Sequence, residues 1–179
     1  MSQSSAWFKL LTPLFGIVVA LTVARVKGVS LREDLGLRWP SARHAAVWLG
    51  TWGILLVVGE FAIRTFGLAD AERWENQEWS AVLLRAIPLV FLGPVLEELA
   101  FRGFLFFRLS PHTGPLAAIL ILSVVWAALH YRYGFASVAL MAVDGLCLGM
   151  ARWRSGSLLL PMTMHMIGNS ISVGQSLTR

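Results

Sequence analysis

The sequence predicts an all-α, polytopic membrane protein, a bundle of about six transmembrane helices. Three observations predict it. Of 179 residues, 56% are apolar and only 14% charged, against about 25% charged in soluble domains. Mean hydropathy is +0.67. The apolar residues also fall in runs near the roughly 20 residues that cross a hydrocarbon core as a helix. This composition excludes a disordered chain, a disulfide scaffold and an ordinary soluble domain. It leaves room for one bundle, so residues 1–179 read as a single domain with a functional core at about 80–173.

The first span is expected from about Ala6 to Ala24, with Lys9 near its start and Pro13 inside. It has no small-residue cleavage site and reads as a retained span. A basic loop follows to His44, and a second span covers about Ala45 to Phe66, with Glu60 and Arg64 spaced to pair near its end. Asp70, Glu72, Glu75 and Glu78 then alternate with Trp74 and Trp79, which suit a membrane interface. The third span, about Ser80 to Leu109, is long, and its Pro88 and Pro94 predict kinks. A turn at Ser110–Gly114 leads to a fourth span, Pro115 to Tyr131. The fifth runs from about Phe135 to Ala151 and the sixth from about Ser157 to Val173, where Ser157 reads as a helix cap. The one cysteine, Cys147, lies in an apolar run and reads as a small packing residue.

The net charge is +5 and the isoelectric point about 10.3. The basic residues sit between apolar runs, so they point to orientation and anionic lipid headgroups, with no nucleic-acid partner. Arg25, Lys27, Arg32, Arg38, Arg43, Arg108, Arg152 and Arg154 follow spans one, three and five. Lys9, Arg73, Arg132 and Arg179 lie opposite, with Arg64 and Arg85 near span ends. The positive-inside rule then places the basic loops in the cytoplasm and both termini outside.

Ionisable residues inside spans are costly and mark function by default. Here they are Glu60, Glu97, Glu98, Arg102, His130, Asp144 and His165, with Asn169 as a neutral companion. Glu98 and Arg102 are four apart and share a face, whereas Glu97 is turned from Glu98 by about 100°. Trp126 and His130 share a face by the same spacing, as do His165 and Asn169. Asp144 either lines the same cavity or is a hydrogen-bonded core residue. A carboxylate in an apolar setting can act as general base. With a histidine it can hold and deprotonate a water, while a second histidine and an amide donate to an oxyanion. Alternatively, Glu97, His130 and His165 could form a His₂Glu metal set, as in zinc sites with an open fourth position. One obstacle is depth. Taking 1.5 Å per residue, Glu97, His165 and His130 lie on the order of 18, 12 and 24 Å from the basic ends of their spans. Their meeting requires tilt, a kink, or helices entering at different levels.

Gly93-Pro-Val-Leu-Glu-Glu-Leu-Ala-Phe-Arg-Gly103 resembles the EExxxR motif of the CPBP family, the CAAX prenyl protease and bacteriocin-immunity (Abi) type of intramembrane endopeptidase. Ser123-Val-Val-Trp-Ala-Ala-Leu-His130 is similar to its FxxxH motif, with Trp126 where Phe is usual, and His165-Met-Ile-Gly-Asn169 to its HxxxN/D motif. The Gly149–Pro161 stretch resembles the lead-in to the third motif, and Asp34-Leu-Gly-Leu37 is loosely similar as well. The resemblance implies that Glu97 activates water with His130, that His165 and Asn169 bind the oxyanion, and that Glu98 and Arg102 support them. It implies a glutamate-dependent hydrolase without a cofactor, a divalent metal such as zinc being the alternative. The implied substrate is a membrane protein or lipidated peptide, and the implied setting is a bacterial inner membrane. Bacteriocin immunity and C-terminal processing of surface proteins are further roles within the family. A proton-coupled transporter or a non-catalytic membrane scaffold are the readings from other classes.

Overall fold

A computed structural model describes residues 3–67, 74 and 78–178. Of the acidic stretch between the second and third spans, Asp70, Glu72 and Glu75 fall outside the described residues, as do Arg73 and Arg179. All regular structure among the described residues is helical. Four helices, Trp7–Val26, Ala42–Phe66, Trp79–Thr113 and Phe135–Ser155, are long and apolar enough to cross a membrane.

Helix α1 spans Gln3–Val26 and α2 spans Ala42–Phe66. Both expose apolar side chains along much of their length, among them Phe8, Phe15, Val57 and Phe61. That is the pattern of helices whose outer faces meet lipid rather than water. Trp52 is the side chain α2 buries fully.

The third span is one rod interrupted in two places. Helix α3 (Trp79–Ile87) passes into a π-helical segment, Pro88–Leu92, then α4 (Gly93–Glu98), a second π segment, Leu99–Leu105, and α5 (Phe106–Thr113). The first π segment begins at Pro88, whereas Pro94 lies in α4 and the second π segment contains no proline. A proline has no N–H for the α ladder, and the ladder re-forms one residue wider: Gly93 N–H donates to Pro88 O. The rod also runs through the turn expected at Ser110–Gly114 and stops only at Gly114, where φ is 82°.

Helix α6 covers Pro115–Ala128 and is shorter than the span expected to Tyr131, because Tyr131–Tyr133 form a 3₁₀ turn. Its 14 residues make roughly 21 Å of helix. Helix α7 spans Phe135–Ser155 and α8 spans Leu159–Thr178. Helices α6 and α7 pack closely because Gly145 and Gly149, four apart on α7, face α6. A Cβ on Gly149 would lie 2.7 Å from Ile119 Cγ2, and one on Gly145 would lie 3.1 Å from both Ser123 Cβ and Trp126 Cε3. Small residues at this spacing let membrane helices approach to backbone distance.

The loop between α1 and α2 plugs into the end of the bundle. Leu35 is fully buried among Leu99, Leu158 and Met162. Gly36, at φ 69°, accepts a hydrogen bond from Leu158 N, and a Cβ there would lie 2.6 Å from Gly156 O. Arg38 Nε donates to Gly156 O, and Arg152 Nε donates to Arg102 O. Ser157 Oγ accepts from Leu160 N, the capping role expected of it, and donates to Arg38 O at 2.5 Å. The first basic loop and the basic turn after α7 therefore share one end of the molecule. At the other end Trp74 N bonds Ser176 O.

Candidate active site

The polar groups gather where the long rod, α6, α7 and α8 meet. Glu98 and Arg102, four apart on the rod, form an ion pair at 3.0 Å with Glu98 fully buried and Arg102 nearly so. Arg102 also donates from its second terminal nitrogen to Gly145 O at 3.1 Å. Its guanidinium lies 4.8 Å from the centre of the Trp126 ring. The same Glu98 oxygen that takes Arg102 sits 3.0 Å from His165 Nδ1. Ionised beside Arg102, Glu98 has no proton to give, so Nδ1 of His165 carries the hydrogen. Glu98 Oε2 is buried and makes no hydrogen bond among the described residues.

Fixing Nδ1 turns Nε2 of His165 toward Glu97, whose Oε2 is 4.0 Å away. Despite the expected obstacle of depth the two side chains approach each other, with the first loop packed against the start of α8 through Leu35 and Gly36. Glu97 is partly exposed, unlike its neighbour, and points away from the Glu98–Arg102 pair as its helix position requires. Its Oε2 accepts a 2.6 Å hydrogen bond from Trp126 Nε1.

His130 lies one turn beyond Trp126, at the end of α6. Its Nδ1 is 3.0 Å from Trp126 O. A carbonyl only accepts, so this nitrogen also bears its hydrogen and Nε2 is left with a lone pair. The ring contacts Trp126 edge-on, with centroids 5.1 Å apart, and His165 meets the same indole at 5.4 Å.

Asn169 has a different attachment. Its Nδ2 donates to Leu89 O at 2.8 Å. In the widened register after Pro88, the residue placed to serve Leu89 O is Pro94, which has no N–H. Asn169 supplies the missing donor, as apolar surroundings demand for a backbone carbonyl. One amide N–H remains for another acceptor. Asp144 proves to be hydrogen-bonded: its Oδ1 accepts from Trp52 Nε1 at 2.6 Å, tying α2 to α7. Glu60 and Arg64 pair at 2.6 Å as their spacing predicts. Cys147 packs in the core with Trp52, Leu148 and Met164.

The structure therefore brings Glu97, His165 and His130 around the indole of Trp126, with Glu98 and Arg102 behind His165 and Asn169 bridging to the π segment. Among the described residues no group of three or more His, Cys, Asp or Glu side chains is arranged to hold a metal ion. Glu97 and His165 approach each other, and the bond of His130 Nδ1 to a backbone carbonyl leaves its Nε2 open.

Sequence reasoning missed the indole as a hydrogen-bond donor to Glu97. Its spacing to His130 was visible, but which carboxylate it reaches depends on the distance between helices. The partnership of Trp52 with Asp144 was missed for the same reason.

A profile of the Rce1-like family, described as type II CAAX prenyl endopeptidase Rce1-like, matches residues 77–171. An uncharacterized 24.3 kDa protein of Escherichia coli is 26% identical over 158 residues, covering 84% of this chain and 69% of that one. No solved structure matches.

Proposed function

The chain belongs to the Rce1-like family of CAAX-type intramembrane proteases, and from that premise we propose that it hydrolyses a peptide bond at the Glu97 site. The substrate we propose is a membrane-anchored or lipid-proximal segment, cut near its C-terminus. The observation that supports this best is the approach of Glu97 and His165 from two separate helices, with Nε2 of His165 4.0 Å from the carboxylate. A third group, Glu98, fixes the imidazole from behind.

In the proposed reaction a water lies between Glu97 and the lone pair of His130. Glu97 takes its proton as the water oxygen attacks the carbonyl carbon, and the carbonyl π pair moves to oxygen. In this reading His165 carries a hydrogen on both ring nitrogens, so that its Nε2–H and the spare N–H of Asn169 donate to the resulting oxyanion. Collapse breaks the C–N bond, and Glu97 returns the proton to the leaving amine. Each product keeps one of the new termini and no covalent enzyme intermediate forms.

The polar set lies among apolar helices, which suits a substrate segment held in the bilayer. The shared position of the basic loops supports placing that end at the cytoplasmic face and both termini opposite.

The test uses purified full-length protein in lipid nanodiscs and an internally quenched peptide with a farnesylated cysteine three residues from its end. Wild type is expected to cleave it, and Glu97→Gln is expected to lose at least about 100-fold in rate, the usual worth of a general base. Cleavage by Glu97→Gln at the wild-type rate would refute the assignment. Proton flux in liposomes with no cleavage of any peptide would favour a transport role instead.

A further inference from the structure

We propose that Trp126 is a positioning residue for the hydrolysis, holding one oxygen of Glu97 so that the other is the one that takes the proton of water. This rests on the hydrolytic reading above and adds a residue to it. The motif this segment resembles carries Phe at the position, and Phe offers the same ring face without an N–H.

The indole has little freedom to do anything else. It is 4% exposed. Arg102 covers one region of the ring, and the two histidines meet it edge-on at interplanar angles of 61° and 84°. Beside Arg102, Gly145 leaves only the space of a hydrogen, since a Cβ there would lie 3.1 Å from Trp126 Cε3. A ring held on these sides presents its single donor in one direction, and that direction is Glu97 Oε2.

The two carboxylate oxygens are thereby made unequal. Oε2 accepts the indole N–H and faces Nε2 of His165. Oε1 lies on the other side, over Gly93: a Cβ on that glycine would be 3.8 Å from it. With Oε2 engaged, Oε1 is the oxygen free to accept the proton as the water oxygen bonds to carbon. A neutral donor suits this duty. It steadies the carboxylate without adding a charge to a site that already holds Arg102.

Trp126→Phe keeps an aromatic ring at the position and removes the N–H. Benzothienylalanine at 126, which has sulfur in place of N–H within the same outline, does so without leaving space. Both are expected to lower kcat about tenfold or more on the farnesylated peptide with KM unchanged, the pattern of a group that orients rather than binds. In protein labelled with ¹⁵N at tryptophan indoles, the resonance lost in either variant is that of Trp126. It is expected to move in Glu97→Gln and to stay in Glu60→Gln, a change remote from the site. An indole resonance unmoved by Glu97→Gln, or a wild-type kcat in both position-126 variants, would overturn the proposal. A wild-type protein that cleaves nothing would overturn the hydrolytic reading, while the resonance still decides whether the tether exists.

Discussion

Replacing Arg102 by Met should destabilise the fold more than any change on the lipid-facing surface. Arg102 is 3% exposed and Glu98 fully buried. The substitution keeps most of the aliphatic volume but removes the 3.0 Å ion pair, the 3.1 Å bond to Gly145 O and the charge over Trp126. Glu98 is then left with His165 alone for two buried oxygens, one of which has no partner even in wild type. Removing one member of a buried pair costs about 3–5 kcal/mol, chiefly for the stranded charge. For a chain of this size each kcal/mol shifts the unfolding midpoint by about 2–4 °C, so the expected drop is about 6–20 °C. The molecule supplies its own probe: Cys147 is the one cysteine and is buried, so a maleimide dye that fluoresces on reacting with it reports unfolding in detergent. The double variant Glu98→Gln/Arg102→Met strands no charge and should regain a substantial part of the loss. A midpoint for Arg102→Met within about 2 °C of wild type, or a double variant less stable than the single one, would refute the reasoning.

Two further outcomes are expected from packing and hydrogen bonding. Gly149→Ala forces a methyl to within 2.7 Å of Ile119 Cγ2, and such overpacking costs about 1–3 kcal/mol. Measured by the same dye, the cost should shrink in an Ile119→Ala background, and equal costs in both backgrounds would mean that α6 and α7 can separate freely. Trp52→Phe removes the 2.6 Å donor to Asp144 and should destabilise by about 1–3 kcal/mol, the penalty of an unsatisfied buried acceptor. Restoration by Asp144→Leu in the Trp52→Phe background checks that the orphaned carboxyl is the cause.

Much of this was legible because helices have a fixed pitch. Residues four apart share a face, so the pairing of Glu98 with Arg102 and the separate direction of Glu97 could be read before any coordinates. Placing three polar faces on three apolar runs likewise implied a common interior. Depth was not legible. Counting 1.5 Å per residue inward from each loop assumes that every helix starts at one level and keeps the α register. Here Leu35 and Gly36 occupy the bundle end under α8, and two π segments rephase the rod. Asn169 shows a second limit: its bond to Leu89 O answers a gap left by Pro94, and that gap exists only in the widened ladder. The partner of Trp52 depended on how closely α2 approaches α7, and that of Trp126 on how closely α6 approaches the rod.

The π-helical segments also set how this sequence can change in length. Each accommodates a residue in excess of what an α ladder of the same rise would hold. Removing one residue from Pro88–Leu92 would let the rod relax to an ordinary helix with Glu97 and Glu98 near their present direction relative to Trp79–Ile87, whereas removing one from the α-helical residues just before Glu97 would turn both by about 100°. After the second change α3 and the carboxylates could not both keep their partners, Trp74 and Val173 on one side and Trp126 and His165 on the other. The rod thus has one place where a residue can be lost at little cost in direction, its first π segment, and none in the α-helical turn that carries its glutamates.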